Sequence, residues 1–117
     1  MFVRPDGHNN HPHVINELIQ KHPAIYAACT VGVQSPYHAT GKYPKTVIIL
    51  KEAYKGKEDE VQHELEKMCL SEFSQRDIPY WYEFVDEFPY TPNGKVDYKA
   101  IEDKGIGQAR VAEGVVF

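Results

Sequence analysis

The sequence predicts an α+β sandwich: a small three-stranded sheet with helices packed on its faces. Three observations predict it. Three stretches carry apolar residues at helical spacing, three others read as strands, and the elements follow in the order helix, strand, strand, helix, strand, helix. At 117 residues the chain has room for one domain with a single modest core, and its 42% hydrophobic content is enough to build one.

Taken in order, Met1 to Val3 is a short apolar lead-in, and Arg4 to Asn10 is a polar turn around Gly7. Pro12 then opens a helix at the position proline favours, with Val14, Ile15, Leu18 and Ile19 as its apolar stripe and His22-Pro23 as its end. Ile25 to Val33 reads as a strand with small residues on at least one face. Lys45 to Leu50 holds the continuous run Val47-Ile48-Ile49-Leu50 of a central strand. These two strands are expected to form a hairpin with a long connection.

Lys57 to Phe73 is the clearest helix. Val61, Leu65, Met68, Cys69 and Phe73 make one stripe, and Glu58, Asp59 and Glu60 lie in the first turn, where the helix dipole favours negative charge. Ile78-Pro79 turns the chain into an aromatic-rich third strand, Tyr80 to Val85. From Gly105 the tail shows no clear period; it is expected to be mobile, or to dock its Val115-Val116-Phe117 end on a partner.

Composition removes several functions. A net charge of −4 without a basic patch argues against a nucleic-acid binder, and no apolar run approaches the length of a bilayer span. The opening residues do not read as a signal peptide. Cys29 and Cys69 match no zinc or redox spacing and are expected to be reduced core thiols in a cytoplasmic protein. His8, His11 and His13 cluster without a common ligand pattern, so no metal site is expected and the histidines read as solvent-facing. The Tyr80-Trp81-Tyr82 run reads as core on one face and interface on the other, and Asp86 and Glu87 as polar strand-end residues.

One stretch carries chemistry. In Pro89 to Ile101, Pro92 presets φ and Asn93-Gly94 supplies residues that tolerate positive φ, so Lys95 leaves a rigid turn just before a short helix. The residues alone allow a solvated turn lysine or a point charge aimed at an anionic group. The longer string Thr-Pro-Asn-Gly-Lys-Val-Asp-x-Lys-Ala resembles the last core motif of the AMP-forming adenylating enzymes, which include acyl-CoA synthetases, peptide-synthetase adenylation domains and luciferases. The resemblance runs from about Phe2 to Lys104. It takes in Gly7 through Pro12, His22-Pro23, Val31-Gly32-Val33, Gly41 to Lys45, Ile78-Pro79 and Phe84 to Pro89, in the family's order. Val14 and Asn16 depart from it where relatives often carry Glu near the start of the first helix.

The resemblance implies a C-terminal lid at residues 1–104, followed by a tail at 105–117. It implies that Lys95 contacts the carboxylate and phosphate in adenylation, and that Gly7, His8, Thr91 and Gly94 contact substrate, with Gly7 beside the pantetheine tunnel during thioester formation. The full enzyme would use ATP, Mg and CoA or phosphopantetheine. The lid's partners would be the N-terminal adenylate-forming domain, the acyl-adenylate and CoA or a carrier protein. The family's hinge would precede Met1, and its phosphate loop and acyl pocket are not in this chain, so an excised domain, inactive alone, is expected. The alternatives are a stand-alone lid acting in trans and a non-enzymatic interaction module.

Overall fold

The computed structural model describes residues 2–5 and 7–115. Among them a four-stranded sheet runs in the order β3-β4-β5-β6, formed by β3 (Ile25–Gln34), β4 (Lys42–Leu50), β5 (Trp81–Phe84) and β6 (Arg110–Val111). A separate two-stranded ribbon pairs β1 (Phe2–Val3) with β2 (Asn9–Asn10). The helices are α1 (Pro12–Ile19), α2 (Glu58–Glu72) and α3 (Tyr98–Lys104).

The anticipated hairpin is present: β3 and β4 pair antiparallel, with Cys29 opposite Val47. The β4 run is apolar on every residue from Val47 to Leu50 because both faces of this central strand are covered. Ile48 and Leu50 join a core with Ile15, Ile19, Val61 and Leu65 of α1 and α2. Val47 and Ile49 join a second core with Trp81, Phe88 and Ile101 of α3. β5 returns parallel to β4 after α2, which is the crossover that a parallel pair needs.

Three sequence expectations need revision. The sheet has a fourth strand, β6, where three were expected; its pairs Trp81↔Val111 and Tyr82↔Arg110 are too few to leave a periodic signal in the tail. Val14 belongs to the apolar stripe of α1 by spacing, yet it is exposed, and Ile15 and Ile19 form the buried contact. The segments of the β1–β2 ribbon read in sequence as a lead-in and a turn, since two-residue strands carry no period. The suggested docking of Val115-Val116-Phe117 falls largely outside the described residues.

Two glycines tie the ribbon down. Phe2 packs its ring where a Cβ on Gly32 would sit, and a Cβ on Gly41, which has φ +91°, would overlap the backbone of Pro5. The Arg4 guanidinium lies 5.0 Å from the centre of the Tyr43 ring and donates to the Tyr80 hydroxyl at 2.8 Å. No helix among the described residues is long and apolar enough to cross a membrane. Both cysteines are free and buried, as expected.

Candidate functional site

The lysine stretch folds as a small hairpin. Tyr90 and Val96 form an antiparallel bridge; the Thr91 N–H donates to the Lys95 carbonyl at 2.8 Å, and the Gly94 N–H to the Thr91 carbonyl at 2.9 Å. Gly94 has φ +81°, whereas Asn93 stays at negative φ, so Gly94 alone supplies the left-handed residue. This is the three-residue loop in which a type I turn is followed by a glycine bulge. The Thr91 hydroxyl accepts the Lys95 N–H at 3.3 Å, so Thr91 holds the turn that carries the lysine. The Lys95 side chain is exposed, flanked in sequence by the half-exposed rings of Tyr90 and Tyr98.

Its base is anchored on the second core. Phe88 and Ile101 are buried on either side of the hairpin, and the Asp97 N–H donates to the Pro89 carbonyl at 2.9 Å. The Asp97 carboxylate accepts the Ala100 N–H at 3.0 Å and so caps α3. At the other end of α3, Glu83 binds Lys104 Nζ through Oε2 at 2.9 Å and Lys45 Nζ through Oε1 at 2.8 Å. Lys45 Nζ also donates to the Gly105 carbonyl at 2.8 Å, a cation placed at a helix C-terminus. Burial pushes the Glu83 carboxyl up, but the Lys104 and Lys45 ammonium groups outweigh it and hold the carboxyl below its ordinary range.

Gly7 and His8 lie elsewhere. Gly7 has φ +89°, its N–H donates to the Arg4 carbonyl at 2.9 Å, and nothing stands within 4 Å of where a Cβ would be. His8 Nε2 meets Asp77 Oδ1 at 2.6 Å, so His8 is half-buried and paired, whereas its sequence context predicts a solvent-facing residue. Asp77 also accepts from the Asn10 side-chain amide at 3.2 Å and the Ser74 hydroxyl at 3.1 Å. The Gly7 turn is thereby fastened to the loop leaving α2, while the Lys95 hairpin rests on Phe88 and Ile101 of the second core. The structure brings Thr91, Gly94 and Lys95 together and places Gly7 and His8 in a separate group.

Sequence reasoning missed Lys45, Glu83 and Asp77, which fix these two groups. A lysine and a glutamate in strands read as solvated residues, and nothing in the spacing announces that they meet. It also missed the convergence of His63, Glu66 and Glu113, whose ligand atoms all lie within 4.8 Å of one another.

A layered α+β fold with an exposed lysine on a braced hairpin defines the class, and comparison with known proteins gives the family. The family profile described as "AMP-binding enzyme C-terminal domain" matches residues 14–95, and the chain belongs to that family. It is 32% identical over 90 residues to sulfoacetate–CoA ligase of Cupriavidus necator, covering 77% of this chain and 16% of that protein. It is 28% identical to a mitochondrial acyl-coenzyme A synthetase of Homo sapiens, covering 92% of this chain and 18% of that one. The chain thus spans less than a fifth of these curated relatives. Among solved structures, it is similar to the acyl-CoA synthetase of Brucella canis, with 29% identity, a TM-score of 0.67, and coverage of 79% of this chain and 16% of that one. An anthranilate CoA ligase in complex with anthranoyl-AMP shares the fold at 24% identity and a TM-score of 0.75, with coverage of 89% and 20%.

Proposed function

We propose that this chain is the mobile catalytic lid of an AMP-forming carboxylate ligase of the acyl-CoA synthetase type. The reading extends family membership with one observation: Lys95 has a fixed backbone and an exposed side chain. A hairpin closed by three hydrogen bonds at its tip, set between buried Phe88 and Ile101, holds the Cα while the side chain reaches outward. When a carboxylate oxygen attacks the α-phosphate of ATP, negative charge develops, and an ammonium held in place and shielded from water lowers that barrier. Pyrophosphate leaves and an acyl-adenylate remains.

The second half-reaction needs a different surface. The lid rotates against the N-terminal adenylate-forming domain, withdraws Lys95 and presents the Gly7 turn, where backbone without side chain leaves room for the thiol of CoA or of a phosphopantetheine carrier. Two separate groups with different partners on one domain fit such an exchange. In this reading Thr91 and Gly94 shape the substrate-facing turn, and His8 orients the thiol-facing one through Asp77. ATP, its magnesium ion and the acyl group belong chiefly to the larger domain, so the chain alone is silent.

The test is Lys95→Ala in an enzyme carrying this chain as its C-terminal domain. Acyl-adenylate formation, followed by pyrophosphate exchange, should fall on the order of 10²–10³. Thioester formation from supplied acyl-adenylate should stay near normal. Equal losses in both steps would make Lys95 a docking residue, and no loss would return it to a solvated turn.

A further inference from the structure

We propose that His63, Glu66 and Glu113 form a divalent-cation site that clamps the C-terminal tail onto α2. His63 and Glu66 are three residues apart and so share a helix face. Glu113 arrives from the other side, two residues past the end of β6. One donor atom from each lies within 4.8 Å of the others. The three border a cleft of about 450 Å³ between the helix and the tail.

Glu66 is the built part of this site. It is only 7% exposed, and its Oε1 accepts the Glu113 N–H at 2.8 Å and the Gln62 amide at 3.4 Å. Those bonds fix the carboxylate plane and leave Oε2 for a ligand, which is how surrounding hydrogen bonds orient a metal-binding carboxylate. Charge points the same way. Among the described residues no lysine or arginine pairs with Glu66 or Glu113, and the one guanidinium at the cleft, Arg110, is engaged by Asp59. Two carboxylates therefore converge, one of them buried, with no lysine or arginine paired to either among the described residues.

One imidazole nitrogen with two carboxylate oxygens suits a borderline first-row cation of the zinc kind, whereas calcium and magnesium prefer oxygen alone. Donors about 2.0–2.2 Å from such an ion sit roughly 3–3.5 Å apart. His63 and Glu113 are exposed and can close that gap by rotamer changes, with water completing the coordination. The consequence is mechanical. β6 pairs with β5 at two register positions and is tied to α2 by the Gln62 amide on the Val111 carbonyl at 3.3 Å and by Glu66 on the Glu113 N–H, and a bound ion would reinforce that second tie.

The experiment is calorimetric titration of zinc chloride into the untagged chain, with hydrogen exchange at residues 110–113 as a second readout. The expected result is one zinc per chain with micromolar affinity or better, and slower exchange in that segment when zinc is present. His63→Ala and Glu113→Gln, both surface changes that leave the core intact, should each weaken binding at least tenfold. A His11→Ala/His13→Ala variant should bind as before. Absence of stoichiometric binding below about 100 μM zinc, retention of binding in a His63→Ala/Glu113→Gln double variant, or its loss on removing His11 and His13 would each overturn the proposal.

Discussion

Lys45 and Glu83 meet across the two central parallel strands, Nζ to Oε1 at 2.8 Å, with the lysine entirely buried. Both side chains face α3, and through Lys104 and the Gly105 carbonyl they tether the end of the helix that begins three residues after Lys95. Removing one partner of a buried pair leaves a charge without compensation and typically costs about 3–5 kcal/mol. Glu83→Leu should therefore be strongly destabilising in urea unfolding. Lys45→Met/Glu83→Leu should lose clearly less, because the apolar pair leaves no buried charge. Equal losses would show that Lys45 reaches water when its partner is gone.

The same pair sets an acid limb. The Glu83 carboxyl is held below its ordinary range in the fold, so the folded state favours its ionised form. That contribution is fully present above the ordinary carboxylate range and is lost as pH falls through the depressed value. Stability measured against pH should decline on the acid side, and Glu83→Gln should flatten that decline while lowering stability near neutrality. An unchanged acid slope in Glu83→Gln would assign the decline to other carboxylates.

The cysteines give a separate check on the two cores. Burial pushes the Cys29 thiol up to about 12 and the Cys69 thiol up to about 11, one in each core. A thiol reacts as its thiolate, so neither should be labelled by a disulfide reagent in the native chain near neutral pH. Two equivalents should react once the chain is unfolded. Rapid native labelling of Cys69 would mean that α2 opens from the sheet.

Much of this was legible in the sequence. The helix stripe from Val61 to Cys69, the apolar run of β4 and the turn chemistry of Pro92 and Gly94 each carry a local signal, and each element formed where that signal placed it. What escaped is what depends on distant partners. β6 exists because Val111 and Arg110 find Trp81 and Tyr82 about thirty residues away, and a two-residue strand has no period of its own. His8 reads as a loop histidine until Asp77, 69 positions on, is folded beside it. Lys45 is polar in sequence and buried in space only because Glu83 and Gly105 arrive together.

The Gly7 turn allows the sharpest division between the two half-reactions. Its φ of +89° is a conformation that side-chain-bearing residues rarely adopt, yet nothing lies within 4 Å of a Cβ there, so the space itself is open. Glycine is thus required by the backbone angle, and in the proposed thioester orientation also by the thiol that must pass close to it. Gly7→Asn tests the first requirement, since asparagine tolerates left-handed backbone better than most residues; Gly7→Leu tests both. In the isolated chain both variants should keep the fold, with small losses in thermal stability, because the turn is held from outside by the Arg4 carbonyl and by His8 on Asp77. In an enzyme carrying this chain, pyrophosphate exchange should survive in both. Thioester yield should fall modestly for Gly7→Asn and at least tenfold for Gly7→Leu, as a branched side chain closes the approach; a tenfold loss is about 1.4 kcal/mol of barrier. Parallel losses in both half-reactions would mean that the turn supports docking of the lid in either orientation, and the assignment of Gly7 to the thiol side would fall.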